Sequence, residues 1–502
     1  MASLARNITA NYLGRSWSAL LGLLLIPLYL KYLGIEAYGL VGFFTSLTGM
    51  LGILDLGIGA TMNRELARYS AKEGTVDKQR DLVRTLELIY WGIAIIAGII
   101  IYFIAPFIAN SWIKVQVLSP KSVLTAIQFM CVAIALNFPI SLYQGGLMGL
   151  QRQVLVNIIL IFTGTLRGIG AILVLWLVSP TIEAFFIWQA ISSFVGSAVF
   201  YVAMWLCLSK SNKKSKFSIS ILKGIWKYAA AISASAIIGI ILSQLDKIIL
   251  SKMLPLKMFG YYTLAATLAS AIWMIIMPYI NALFPKLVQL HELNKTKDLK
   301  DLFHNSSQLL SLLLFPVAAI FVFFSKEILL LWTNNPTVAE NSYLIVAFLV
   351  FGIMLNGTAT LPSNCASAFG WPTLVTYTNL IQAIIIIPLI IIMVNWFKGV
   401  GASIAWVVMN STYIIFMVPV FFKRYLNDEK LKWYVNDIGV PLITSFSICL
   451  ISWLLEPSLH TKLLTIIWIL GTLVFSFLFT GISLPFIRNF VFKRLFKESI
   501  NN

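Results

Sequence analysis

Charge is scarce in this sequence. Asp, Glu, Lys and Arg make up 11% of its 502 residues, against about 25% in an ordinary soluble domain, and that excludes a soluble globular chain. Histidine is scarcer still: His291, His304 and His460 are the full set, with no H-E-x-x-H or comparable ligand spacing. There is no G-x-x-x-x-G-K-[ST] loop to cradle ATP phosphates and no visible nucleophile arrangement. The four cysteines, Cys131, Cys207, Cys365 and Cys449, lie within or at the ends of apolar runs and read as packing residues, not a disulfide framework. No catalytic residue, metal or cofactor is expected. No cleavable leader is expected either. Arg15 interrupts the first apolar run, no small-residue cleavage site follows and a second run comes directly after, so the N-terminus reads as an uncleaved helix.

What remains is apolar. Hydrophobic residues make up 59% of the chain and the mean hydropathy is +0.88. Runs bounded by charge or Pro/Gly fall at 8–33, 38–62, 85–109, 122–148, 154–178, 183–208, 226–251, 259–284, 306–325, 341–368, 373–396, 400–422, 438–456 and 463–486. Each can cross a hydrocarbon core of ~30 Å at ~1.5 Å per helical residue. The expected fold is all-α, a polytopic membrane protein of about 14 transmembrane helices. Lys and Arg collect in short cytoplasmic segments. With both termini placed inside, 26 fall in inner segments and 8 in outer ones. The net charge of +18 thus reads as a topological bias, and no nucleic-acid partner is expected. External loops are short and no soluble domain is inserted.

A weak internal repeat divides the chain. A shift of 221 residues lays Lys31, Leu33, Tyr38, Gly39 and Leu47 on Lys252, Leu254, Phe259, Gly260 and Leu268, and Gly149 on Gly370; a shift of 218 lays Ala184 and Trp188 on Ala402 and Trp406. Six crossings separate the copies, so both have one orientation. The expected organisation is two pseudo-symmetric six-helix bundles, 1–208 and 226–422, joined by a cytoplasmic linker at 209–225. Two additional C-terminal helices and a cytoplasmic tail follow at 423–502.

Charges inside the spans are the candidate functional residues, since each costs ~2.5–3.5 kcal/mol at a helix centre on the translocon scale. Arg167 lies near the middle of the fifth run with no acid nearby in sequence, and its planar fork suits phosphate oxygens. Arg15 and Asp55 sit at matching depths in runs one and two. An ion pair between them reads equally as a structural tie or as part of a gate or substrate site, and Asp55 implies an aqueous cavity or a partner. Asp246 and Lys247, near the outer end of run seven, are either interfacial or an external gate. Pro27, Pro139, Pro278, Pro316, Pro388 and Pro419 and the Gly52–Gly59 patch make helices that can bend.

The segments NITANYLGRSWSALLGLLLIPLYLKYLGIEAYGL, ILDLGIGATMNRELAR, SQLDKIILSKMLPLKMFGYYTLA and ALFPKL resemble those of the O-antigen/polysaccharide flippases of the Wzx type, within the multidrug/oligosaccharidyl-lipid/polysaccharide exporter superfamily. The resemblance implies translocation of undecaprenyl-pyrophosphate-linked oligosaccharide repeat units across the bacterial cytoplasmic (inner) membrane by alternating access, coupled to an ion gradient. Arg167 and Arg15 would bind substrate, while Asp55, Asp246 and Lys247 would serve gating or ion coupling. Membrane lipids, a polysaccharide polymerase and a chain-length regulator are the implied partners. A lipid II flippase, a drug/cation antiporter of the same superfamily and a membrane glycosyltransferase or polymerase are the alternatives. Three bases against two acids within the spans favour an anionic cargo over a cation.

Overall fold

The structure is a computed structural model and describes residues 2–457 and 461–488; the side chains of residues 2–13, 15, 18 and 19, and of eight positions between 227 and 238, lie outside the description. Among the described residues every regular element is helical, and eleven stretches are long and apolar enough to cross a membrane. The division of the sequence into fourteen runs is finer than this. Two of the eleven, Leu20–Asp55 and Pro372–Tyr425, are interrupted by residues with non-helical backbone, Gly34 (φ 77°, ψ 170°) and Lys398 (φ 53°, ψ −131°). The chain packs as two compact units, Met1–Gly260 and Tyr261–Asn502.

The first unit holds α1 (Ala2–Leu51), α2 (Ile58–Ser70), α3 (Val76–Phe107), α4 (Pro120–Asn137), α5 (Ile140–Gly149), α6 (Gln153–Leu177), α7 (Ile182–Cys207) and α8 (Ile219–Met253). α1 reverses at Gly34, whose positive φ a side chain would resist. Just beyond it Glu36 is buried and accepts the backbone N–H groups of Gln116 (2.6 Å) and Val117 (2.8 Å), strapping down the loop after α3. The principal packings are α4 on α7, α1 on α6 and α2 on α5.

Run 38–62 is not the single helix the sequence suggests. α1 ends at Leu51, a 3-10 turn covers Gly52–Asp55, and Leu56 and Gly57 both take left-handed backbone (φ 47° and 66°) before α2 begins. The glycines make the break cheap. They also let α2 and α5 cross with backbones touching: a Cβ at Gly145 would collide with the Gly59 carbonyl oxygen, and one at Gly149 with that of Asn63. Close approach at small residues is the usual way helices associate in lipid, where apolar burial drives nothing.

Packing places α8 with the first unit, against α1, α2 and α3, whereas the sequence division at 209–225 groups it with the later helices. The basic segment between α7 and α8 lies along the start of α3. Ser211 donates to Asp77 (2.5 Å), Lys213 pairs with Asp77 (3.1 Å), and the Lys216 N–H donates to Asp81 (2.7 Å). The repeat has a geometric counterpart in this unit. Gly39 abuts Leu256 and Gly260 abuts Ile35, so each glycine meets the residue that the 221-residue shift pairs with the other's neighbour.

The second unit continues through α9 (Leu256–Ser270), which spans the division, and α10 (Trp273–Glu292), α11 (Thr296–Phe323), α12 (Ser325–Thr333), α13 (Pro336–Ala368) and α14 (Pro372–Thr412). α15 (Val418–Tyr425), the short turn α16 (Lys430–Lys432), α17 (Val440–Leu454) and α18 (Lys462–Ser483) complete it. A polar knot on α11 ties in the last helices. His304 meets Asp437 through Nδ1 (2.5 Å) and Glu429 through Nε2 (3.0 Å), and Lys300 also reaches Glu429 (3.0 Å). Gln308 donates to Asp437 (2.8 Å) and accepts the Phe486 N–H (2.9 Å). Asp437 is fully buried, and a buried charge persists only when hydrogen-bonded in this way.

Gly145→Ala is expected to destabilise the α2–α5 crossing by ~1–3 kcal/mol, because backbone cannot yield to the added methyl. Gly22→Ala, where nothing lies within 4 Å, is the control. Thermal unfolding of the detergent-solubilised protein measures the difference, and equal melting would contradict this packing.

Candidate functional site

Of the charged residues singled out in the sequence, Asp55 falls at a helix break, while Arg167, Asp246 and Lys247 lie within helices of the first unit. Asp55 closes the 3-10 turn, where the backbone N–H groups of Gly57 and Gly59 donate to its carboxylate. A carboxylate at the first turn of a helix satisfies orphan donors and meets the positive end of the helix dipole. Tyr90 Oη on α3 also donates to Oδ1 of Asp55, and Ser141 Oγ at the start of α5 lies 3.5 Å from it. Asp55 is therefore held by a turn and three helices. The Arg15 side chain lies outside the described residues, and with it the expected Arg15–Asp55 pair.

Arg167 is in the interior of α6. Its Nη2 donates to Oδ1 of Asn137 (2.7 Å), and among the described residues no carboxylate stands within ion-pair distance of it. Asn137 is the last residue of α4, before the break at Phe138 and Pro139. Pro139 has no N–H to carry the helix through, so the chain restarts at Ile140. This one break presents Asn137 to Arg167 and Ser141 to Asp55. α6 is seated by Tyr29, whose hydroxyl donates to the Gly168 carbonyl (3.1 Å), and by Trp188 Nε1, which donates to that of Leu166 (3.1 Å). The guanidinium is thus positioned by packing, with an uncharged amide as its partner.

Asp246 and Lys247 lie on α8. Asp246 is buried, and Lys247 Nζ donates to Gln244 Oε1 (3.4 Å) on its own helix. Gln244 packs against Gly49 of α1, so this turn of α8 is seated on α1.

A third carboxylate was missed in the sequence. Glu87 is 2% exposed, accepts from Tyr143 Oη (2.8 Å) and pairs with Arg84 (3.2 Å), while Trp91 Nε1 donates to the same Tyr143 hydroxyl (3.2 Å). Glu87, Tyr90 and Trp91 follow the i, i+3, i+4 spacing of one helix face, a stripe readable in the sequence. It was passed over because Glu87 stands at the charged edge of run 85–109. Tyr90 thus donates to Asp55, while its neighbour Trp91 reaches Glu87 only through the Tyr143 hydroxyl.

The sequence signature of a family described as "Polysaccharide biosynthesis protein" matches residues 4–291. A Shigella flexneri protein, named provisionally as an O-antigen transporter, is 21% identical over 408 residues, covering 80% of this chain and 94% of its own length. Among solved structures, the lipid II flippase MurJ in an inward closed conformation superposes with a TM-score of 0.73 at 14% identity, covering 97% of this chain and all of that one. An inward-facing multidrug resistance MATE transporter of the MOP superfamily superposes with a TM-score of 0.66 at 13% identity, covering 81% and 94%. The likenesses to solved structures establish the fold.

Tyr143→Phe is expected to destabilise the protein by ~1–3 kcal/mol, the cost of leaving Glu87 Oε1 buried without its donor. Tyr143→Phe combined with Glu87→Leu should cost less than the two single changes summed. Thermal unfolding in detergent reads the cycle, and strict additivity would mean that the pair is not coupled.

Proposed function

Since the chain belongs to the polysaccharide biosynthesis protein family, and is a multi-pass membrane protein of the transporter and flippase type, we propose that its cargo is an undecaprenyl-pyrophosphate-linked oligosaccharide repeat unit. It carries this unit across the bacterial cytoplasmic (inner) membrane by alternating access, supplying O-antigen or another surface polysaccharide. Both termini are cytoplasmic. The two six-helix bundles at 1–208 and 226–422 do the moving, and the helices in 423–502 are additions to them. A polysaccharide polymerase and a chain-length regulator are the proposed protein partners.

Arg167 carries this reading. A phosphate diester or pyrophosphate taken into hydrocarbon loses its hydration and must be met by protein donors. A guanidinium is always charged and offers two parallel N–H donors to two phosphate oxygens. Its present partner, the Asn137 amide, leaves the positive charge unneutralised and is exchanged for an anion without breaking an ion pair. Arg15 is the second proposed cargo contact. Asp55 is the proposed ion-coupling carboxylate: protonation would weaken its hold on the N–H groups of Gly57 and Gly59 at a break that already bends. Asp246 and Lys247 form the proposed outer gate. A peptidoglycan precursor with the same pyrophosphate meets the same requirement, and the accumulating precursor tells the two apart. A cation exporter fits less well, because the additional buried acid, Glu87, is already paired with Arg84.

Transport is expected to fall in the order Arg167, Lys, Gln and Ala at equal membrane abundance, since Lys keeps the charge but loses the fork. Losing charge-assisted hydrogen bonds of ~1.5–3 kcal/mol corresponds to roughly a tenfold to hundredfold loss. In cells the loss appears as missing surface polysaccharide and lipid-linked repeat units held at the inner leaflet. Arg167→Ala transporting as well as the parent would remove Arg167 from the cargo site. Topology is checked by cysteine labelling: Ser215→Cys should react from the cytoplasm and Thr337→Cys from outside, and reaction from one side only would refute the map.

A further inference from the structure

Within the second unit, a cavity of about 800 Å³ opens between α11, α12, α13, α14 and α17. Its wall is aromatic, with Phe323, Phe348, Phe351, Phe446 and Trp453. The polar end lies where α11 gives way to α12, with the charged Lys326 and Glu327 and, on α13, the hydroxyl-bearing Tyr343. From Tyr343 to Phe351 the wall runs ~12 Å along α13 at ~1.5 Å per residue, most of the ~15 Å depth of one leaflet's hydrocarbon. An apolar slot of that depth with a polar mouth has the shape of a lipid.

The mouth specifies the head. Glu327 Oε2 is buried with no hydrogen-bond partner among the described residues, while the residue's own backbone N–H serves the carboxylate. A buried carboxylate oxygen with no donor is costly, and a ligand can supply the donor that the described residues do not. A cationic donor would also balance charge, because the neighbouring Lys326 is engaged by Glu340 of α13 and a further carboxylate, Glu456, lies close enough to feel Glu327. The burial of Glu327, and for Glu456 burial together with that nearby charge, raises both carboxyls above their ordinary values. A bound cation would relieve this. Lys326 has three donors and spends one on Glu340, so it can still donate a hydrogen bond to an anionic group set next to the cation.

We propose that this cavity is a binding site for a phospholipid with a primary-ammonium headgroup, as in phosphatidylethanolamine. The ammonium donates to Glu327 Oε2, the phosphate faces Lys326, and one acyl chain lies along the aromatic wall. The site is separate from Arg167 and independent of the cargo. It makes the lipid composition around α12 a determinant of this unit's stability.

The test is native mass spectrometry of the detergent-purified full-length protein, titrated with phosphatidylethanolamine, phosphatidylcholine and phosphatidylglycerol of identical acyl chains. Phosphatidylethanolamine is expected to be retained roughly tenfold more tightly than phosphatidylglycerol, equivalent to ~1.4 kcal/mol. Phosphatidylcholine, which keeps the positive charge but has no N–H to donate, is expected to fall between them. Glu327→Gln should abolish the advantage without weakening phosphatidylglycerol. Acidification should shrink it in the unaltered protein, because a raised carboxyl is the first to be neutralised; Lys326, Glu340, Tyr343 and Glu456 are the other titratable groups at this mouth. Equal retention of phosphatidylethanolamine and phosphatidylglycerol, or an advantage that survives Glu327→Gln, would overturn the proposal. The lipid series on the unaltered protein decides even if the variant folds poorly.

Discussion

A charge inside a bilayer has to be answered by the protein, since lipid offers neither a donor nor a counter-ion. The first unit follows from that constraint. Asp55 is answered by backbone N–H groups freed at a helix break and by the Tyr90 hydroxyl. Glu87 is answered by Tyr143 and Arg84. Arg167 is given only the Asn137 amide. These two acids thus have partners within the protein, whereas among the described residues Arg167 has only an uncharged amide. That asymmetry is the ground on which Arg167 is proposed as the cargo contact.

The two breaks that serve these residues have different physical origins. At Gly52–Gly57 the backbone turns because glycines permit it, and the Asp55 carboxylate takes up the donors left over. At Phe138–Pro139 the helix stops because proline lacks the N–H to continue. The two broken spans then cross at Gly59 and Gly145 with their backbones in contact.

Much of this was legible in the sequence, and what was not had a physical reason. Helical membrane architecture follows from the long uncharged runs. The 221-residue shift, weak as identity, is matched by the reciprocal Gly39–Leu256 and Gly260–Ile35 contacts. Arg167 stood out because no acid lies near it in the chain, and the structure keeps it free of described carboxylates. The break at Asp55 was hidden because Gly52, Gly57 and Gly59 are as common in intact membrane helices as in broken ones. The His304–Asp437 contact joins residues 133 apart, and Glu87–Tyr143 joins residues 56 apart. Neither separation leaves a local pattern. Burial also changed meanings: at the edge of its run Glu87 looked like an interfacial charge, yet it is among the least exposed acids.

The central claim is that a fixed positive charge in the first unit recognises the anionic link of a lipid-borne glycan. The most direct measurement uses the full-length protein reconstituted in liposomes, with the access of an external lectin reporting translocation. The undecaprenyl-pyrophosphate-linked oligosaccharide is compared with the same glycan on the same lipid through a neutral glycosidic link. The account predicts movement of the pyrophosphate compound, with the neutral one left near the rate of protein-free vesicles. Equal movement of the two would show that recognition rests on the sugar or the lipid tail and would contradict the account.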